Sequence, residues 1–221
     1  MKANRENRGQ FIVIAIMLMA IMIVSIGALM NTAITYYKHE PWEEYSALVG
    51  DIEINTREIA ELSLAGYSNL AKDNTILATN MIQWQNDLTK IYPGSGIVLA
   101  SSGYSMTGQS SPNPQAYATF TLTINSIGLK GYKFSVNPSL SLTFDPPSST
   151  AYNLTVTVRS ESGEPVAGLD ASNFKINSAA PTLVSPYYET NTLVYKILYH
   201  GTSPATVEVW DQRGIRAVGS Y

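Results

Sequence analysis

Residues able to do chemistry are few in this chain, and they are scattered. It has no cysteine, which excludes a disulfide staple, a thiolate metal site and a cysteine nucleophile. The only histidines, His39 and His200, are far apart in sequence and leave little for a histidine-based metal site. His200 ends a strand-like run beside Gly201 and reads as a rim residue. Asp51, Glu53, Glu58 and Glu61 crowd one stretch, but helical spacing spreads them over a solvated face. An acid–base pair needs a carboxylate with a shifted pKa in a cleft, and this spacing builds none. The chain contains no G-x-S-x-G elbow, H-E-x-x-H, P-loop, G-x-G-x-x-G or EF-hand loop. The sequence therefore predicts no catalytic residue, no cofactor and no metal site. It does hold one modification signal: Asn153-Leu154-Thr155 is an N-glycosylation sequon with Asn153 as candidate acceptor.

Composition narrows the partners. The formal net charge is -3 and no basic patch stands out, so nucleic acid is not an expected partner. Only 14% of residues are charged, so the polar surface must come largely from Ser, Thr, Asn, Gln and Tyr, as in many extracellular β-rich proteins. The 221 residues leave room for one or two small domains beyond an N-terminal segment, at roughly 100–150 residues each.

That segment is Phe11 to Met30, without a charge and interrupted only by Ser25 and Gly27. Twenty helical residues at about 1.5 Å rise reach roughly 30 Å, the depth of a bilayer's hydrocarbon core. Lys2, Arg5 and Arg8 precede it, and Lys38, Glu40, Glu43 and Glu44 follow. This bias predicts a single-pass helix over 11–31 in the cell membrane, with the N-terminus cytoplasmic and the rest extracellular. Tyr36, Tyr37 and Trp42 fall where membrane-interface aromatics belong. A cleaved signal peptide with Ser25-Ile26-Gly27 as the cut site is an alternative, against which the apolar core is long. An uncleaved anchor is another.

A third reading comes from Arg5-Glu6-Asn7-Arg8-Gly9 running directly into Gln10-Phe11-Ile12-Val13. This junction resembles the class III signal peptide of archaeal type IV pilin-like proteins. The resemblance covers about thirty residues and implies cleavage between Gly9 and Gln10 by a prepilin-type peptidase. It further implies handling by pilus assembly machinery, with the helix kept first as an anchor and then as a filament core, through self-association. Bacterial type IV pilins carry Glu at the fifth mature position, where this chain has Ile14. The archaeal branch is the better match.

Residues 32–92 read as a helical stem. Pro41-Trp42-Glu43-Glu44 suits a helix start. From there Trp42, Tyr45, Val49, Ile52, Thr56, Ile59, Ser63, Gly66 and Leu70 mark one face, opposite Glu44, Asp51, Glu58 and Glu61. After a polar interruption at Asn69 to Asn74, Leu77, Met81, Trp84, Leu88 and Ile91 resume the spacing until Pro93-Gly94. This stripe is expected to pack on the chain's own sheet. As an inter-subunit seam, Thr56, Ser63 and Gly66 make it poor.

Beyond Gly96 the period becomes two. Ile97 to Ala100 predicts a short strand and Ser101 to Pro114 a mobile loop. Phe120, Leu122 and Ile124, then Tyr132, Phe134 and Val136, then Leu140, Leu142 and Phe144 predict a meander within 96–145 packed on the stem. Pro146 to Thr150 reads as a linker or crossover. Later strands are expected around Leu154 to Val158, Phe174 to Ile176, Leu193 to Tyr199, Val207 to Val209 and Ile215 to Val218, with turns at Ser162-Gly163 and Asp211 to Gly214. The runs Leu154-Thr155-Val156-Thr157-Val158 and Ser162-Gly163-Glu164-Pro165-Val166-Ala167-Gly168-Leu169, followed by Phe174, resemble bacterial-type immunoglobulin-like modules. That resemblance implies a β-sandwich over 151–221. Tyr187, Tyr188, Tyr195, Tyr199, Trp210 and Tyr221 enrich this tail in aromatics, for core packing or for contact with a partner or glycan.

The expected fold is thus α+β: a leader at 1–10, a transmembrane helix, an amphipathic stem, and antiparallel sheets ending in an immunoglobulin-like sandwich. The expected role is a non-enzymatic pilin-like or surface protein in filament assembly or adhesion, with the lipid bilayer as first partner. The alternative is a single-pass anchored binding or sensor module that does not polymerise.

Overall fold

A computed structural model describes residues 16–32, 42–70, 73–145, 153–200 and 205–221, and the fold is α+β with three helices and antiparallel sheets. The chain divides into two compact units, Met1–Val49 and Gly50–Tyr221.

In the first unit, helix α1 spans 16–32, and all its described residues are exposed. The expected span begins at Phe11, so its first five residues lie outside the described ones. Among the described residues no helix is long and apolar enough to cross a membrane. What the fold establishes for α1 is an exposed apolar helix.

Helix α2 (Trp42–Leu70) opens next to Pro41, and α3 (Ile76–Ile91) stops before Pro93, as the breakers predict. The polar interruption, however, reverses the chain. Trp84 Nε1 donates to Thr56 Oγ1 at 3.0 Å, and Asn80 Nδ2 to Ser63 Oγ at 2.9 Å. A Cβ on Gly66 would lie 3.1 Å from Ile76 Cδ1. These pairs step in opposite directions along the two helices, so α2 and α3 form an antiparallel hairpin. Thr56, Ser63 and Gly66, poor positions for an apolar seam, are the residues that admit α3. Ile52, Ala60 and Leu64 of α2 and Leu77, Met81 and Leu88 of α3 supply the apolar burial.

The first sheet is the meander β1 (Ile97–Thr107), β2 (Gln115–Ile124) and β3 (Leu129–Val136). Its core lies along β2, where Ala116, Ala118, Phe120, Leu122 and Ile124 alternate inward, and Phe120 stacks on Phe134 at 5.3 Å. Strand β1 continues well past Ala100, through a bulge between Ser101 and Gly103 that lets Ser- and Gly-rich chain stay paired with β2. The predicted mobile loop is thereby cut to 108–114, and three of its carbonyls accept from other strands. Leu142 N donates to Pro112 O at 2.8 Å, Leu140 N to Pro114 O at 3.1 Å, and Val218 N to Ser111 O at 2.9 Å.

The remaining strands are β4 (Leu140–Asp145), β5 (Asn153–Ser160), β6 (Phe174–Ile176), β7 (Leu183–Glu189), β8 (Thr192–Leu198), β9 (Thr206–Trp210) and β10 (Arg216–Ser220). They make two antiparallel sheets, β4-β5-β8-β7 and β10-β9-β6. Leu140 to Asp145, grouped by pattern with the meander, pairs with β5 instead. Pro138 ends the first sheet, and the apolar alternation of Leu140, Leu142 and Phe144 serves the second core. Strand β7 has no counterpart among the expected strands. It is an edge strand that tolerates Pro186, joined to β8 through Thr190 and Asn191, both at positive φ (46° and 65°). Gly163 takes φ 77° in the turn expected after β5, a conformation that glycine adopts without steric cost. Leu142, Leu154, Val156, Phe174, Tyr195, Ile197, Val207 and Val209 are buried in this part of the fold. Strand β10 lies against β4: a Cβ on Gly219 would sit 2.5 Å from the Phe144 ring.

Candidate functional site

The most heavily bonded polar cluster is built on the turn between β9 and β10. Asp211 is buried because its carboxylate organises that turn, accepting from Arg213 N at 3.0 Å and Ile215 N at 2.9 Å. This lets the Arg213 side chain reach α2, the turn after β5 and the chain entering β4. Its Nε donates to Asp211 Oδ2 (2.8 Å), and its Nη1 to Glu161 Oε2 (2.8 Å) and Glu61 Oε1 (3.3 Å). Its Nη2 donates to Ser139 O (2.9 Å). One guanidinium thus joins helix α2, the turn after β5, the chain entering β4 and the β9–β10 turn. Burial raises the Glu161 pKa, but the hydrogen bond from Arg213, the residue's own amide and the charges of Arg213 and Arg57 outweigh it. The net result holds the carboxyl below its ordinary value. For Arg213, burial works against its charge but the surrounding carboxylates win, so it stays protonated.

A second set of bonds lies beside the first. Trp210 Nε1 donates to Asn69 Oδ1 at 2.5 Å, Asn69 Nδ2 to Gly214 O at 2.6 Å, and Arg216 N to Ser68 Oγ at 3.0 Å. Arg216 also pairs with Glu208 at 2.7 Å and lies over the Trp210 ring. The C-terminal turns of α2 are therefore fastened to the β9–β10 hairpin. These contacts do structural work: each charged side chain among them is matched by one of opposite sign.

One open groove of about 530 Å³ runs over the outward face of β4-β5-β8-β7, along Thr143, Asp145, Thr157, Arg159, Thr192 and Val194. A smaller one of about 280 Å³ lies between α2 and α3, beside Leu62 and Trp84. Among the described residues no group of acids and histidines is placed to hold a metal ion.

Of the residues singled out by sequence, Gly9, Gln10, Tyr36, Tyr37 and His39 lie outside the described ones. Trp42 opens α2, but its side chain is not described. Asn153 is the first residue of β5 and exposed, paired across the ladder with Leu198. His200 is exposed just beyond β8. The acids of the stem do not share one solvated face. Asp51 and Glu58 are exposed, whereas Glu53 accepts from the Tyr132 hydroxyl at 2.7 Å and Glu61 is tied to Arg213. The tail aromatics divide in the same way. Tyr195 and Tyr199 are buried, with the Tyr195 hydroxyl donating to Val166 O, while Tyr187 and Tyr188 are exposed on β7. Arg213 is the important residue that spacing did not reveal; its one local signal is an Asp two residues before an Arg in a Gly-ended turn. Comparison of the chain with family models, with curated proteins and with solved structures found no match.

Proposed function

We propose that this chain is a non-enzymatic, membrane-anchored extracellular protein of pilin-like layout, acting in filament assembly or surface adhesion. The observation that carries the reading is α1. Eleven of its large apolar residues, Ile16 to Met30, are 53–71% exposed. Full burial of such a side chain contributes about 1.5–3 kcal/mol, so covering all of them is worth on the order of 10–20 kcal/mol. That rivals the whole stability of a typical domain, about 5–15 kcal/mol. Such a surface requires lipid or copies of itself around it. The flanking charges support an inward N-terminus, and Arg5 to Gly9 supports prepilin-type cleavage before Gln10.

The strand order supports an immunoglobulin-like head. With β4 to β10 lettered A to G, the sheets are A-B-E-D and G-F-C, the constant-type arrangement. On this reading the module begins at β4 rather than at 151. The test is N-terminal sequencing and intact mass of the full chain extracted from membranes. A first residue of Gln10, together with sheared filaments containing the chain, is expected. A chain beginning at Met1 overturns the pilin version, and if it also stays monomeric in detergent it fits a non-polymerising anchored module.

A further inference from the structure

We infer that Asn153 carries an N-linked glycan that covers an apolar row on the outward face of the β4-β5-β8-β7 sheet. The inference rests on the extracellular placement proposed above, and the test separates the two. Asn153-Leu154-Thr155 is the only N-x-S/T triplet in the chain with a usable middle residue, since Asn137-Pro138-Ser139 has Pro there. The fold puts this triplet where a sugar is tolerated. Strand alternation turns Leu154, Val156 and Val158 inward, each at most 1% exposed, and leaves Asn153 and Thr155 together on the opposite face. Asn153 is exposed at the start of its strand, so no core side chain stands between it and solvent.

The neighbours point to what a glycan would do. Asn153 pairs with Leu198, and Leu198 pairs with Leu183 on β7, so the three lie in one row across the sheet. Leu183 is 54% exposed, and it belongs to the sheet's edge strand. Strands are about 4.8 Å apart, so the row is roughly 10 Å long, within reach of the first two sugars. Tyr187, 49% exposed, stands on the same face farther along β7, with Lys196 Nζ 3.9 Å from its ring centroid. A bulky polar group there solvates the row and screens an open β edge from pairing with another chain.

The transfer uses a lipid-phosphate-linked oligosaccharide and a membrane transferase. Asn153 Nδ2 attacks the anomeric carbon and the new C–N bond forms. The C–O bond to the lipid phosphate breaks, the phosphate leaves with the electron pair, and one amide proton passes to a base on the transferase. No redox partner is needed.

The experiment is intact-mass analysis of the full chain purified from the membranes of its own cells, with protease shaving of intact cells alongside. The expected result is a mass above that calculated from the chain's sequenced first residue to Tyr221, lost in both Asn153→Gln and Thr155→Val and kept in Thr155→Ser. Two independent ways of destroying the triplet keep the result readable if one variant folds poorly. A chain that is shaved from outside but has only the mass calculated from its sequenced first residue overturns the glycan and leaves the placement standing. An excess mass that survives both substitutions also overturns it. A chain protected from shaving in intact cells, with bare mass, overturns both.

Discussion

Replacing Arg213 by alanine tests whether the polar junction holds α2 to the β9–β10 turn and the turn after β5. The Arg213 side chain is 22% exposed, and its partners Glu61, Glu161 and Asp211 are 19%, 20% and 3% exposed. Surface ion pairs contribute about 0–1 kcal/mol, whereas removing one member of a buried pair costs about 3–5 kcal/mol. This cluster falls between the two regimes. Glu61 and Glu161 keep enough solvent to be partly screened, and Asp211 keeps the amides of Arg213 and Ile215. The expected loss is therefore about 2–4 kcal/mol, or about 4–16 °C in Tm for a chain of this size. Circular dichroism of the full chain in detergent, by heat and by urea, reads it. Arg213→Lys keeps the charge but not the planar fork, so it should fall between wild type and alanine. The control is Lys90→Ala, which removes the Lys90–Asp87 pair, 74% and 38% exposed, and should stay within about 0.5 kcal/mol. If Arg213→Ala behaves like that control, the junction does not hold the fold.

Two further outcomes follow from the same geometry. Glu161, held below its ordinary pKa in the folded chain, adds stability above its unfolded pKa and loses it as pH falls through the folded value. Stability is therefore expected to be flat near neutrality and to drop below about pH 4.3, the ordinary glutamate value. Glu161→Gln should flatten that drop, and equal acid slopes for variant and wild type would sink the assignment. At the sheet edge, Gly219→Ala forces a Cβ into the rigid Phe144 ring and should cost about 1–3 kcal/mol. Phe144→Leu in the same chain should recover part of it. A double-mutant cycle with no coupling would show that Gly219 is there for another reason.

What was legible in the sequence depended on solvent preference and on breakers. Pro41 and Pro93-Gly94 mark the outer ends of the α2–α3 pair, and the alternation through Leu154, Val156 and Val158 shows which face of β5 turns inward. Polar contacts were not legible. The reversal between α2 and α3 is carried by Thr56 with Trp84 and Ser63 with Asn80. To a periodicity argument such pairs look like flaws in a stripe. Ser101 to Thr107 is hidden for a similar reason: it has the composition of a loop, and its pairing is made by backbone and a bulge. Glu61 reads as solvent-facing by spacing because its partner lies 152 residues later, a distance no local rule spans.

The two kinds of information constrain the chain differently. An apolar helix such as α1 is satisfied by many combinations of Ile, Leu, Val and Met, since its surroundings register hydrophobicity and little else. The alternating strands of the antiparallel sheets are almost as permissive. Arg213 is not, because three carboxylates and one carbonyl meet its planar fork, and lysine cannot reproduce that geometry. Gly219 is not either, because the Phe144 ring occupies the place of a Cβ. Substitution should therefore be tolerated broadly along α1 as long as no charge enters, and poorly at the β9–β10 turn and the β4–β10 contact. The attachment role proposed for α1 and the integrity of the head are then separable by mutation. A charge in α1 should release the chain from the membrane with the head still folded, and Arg213→Ala should loosen the head while α1 stays anchored.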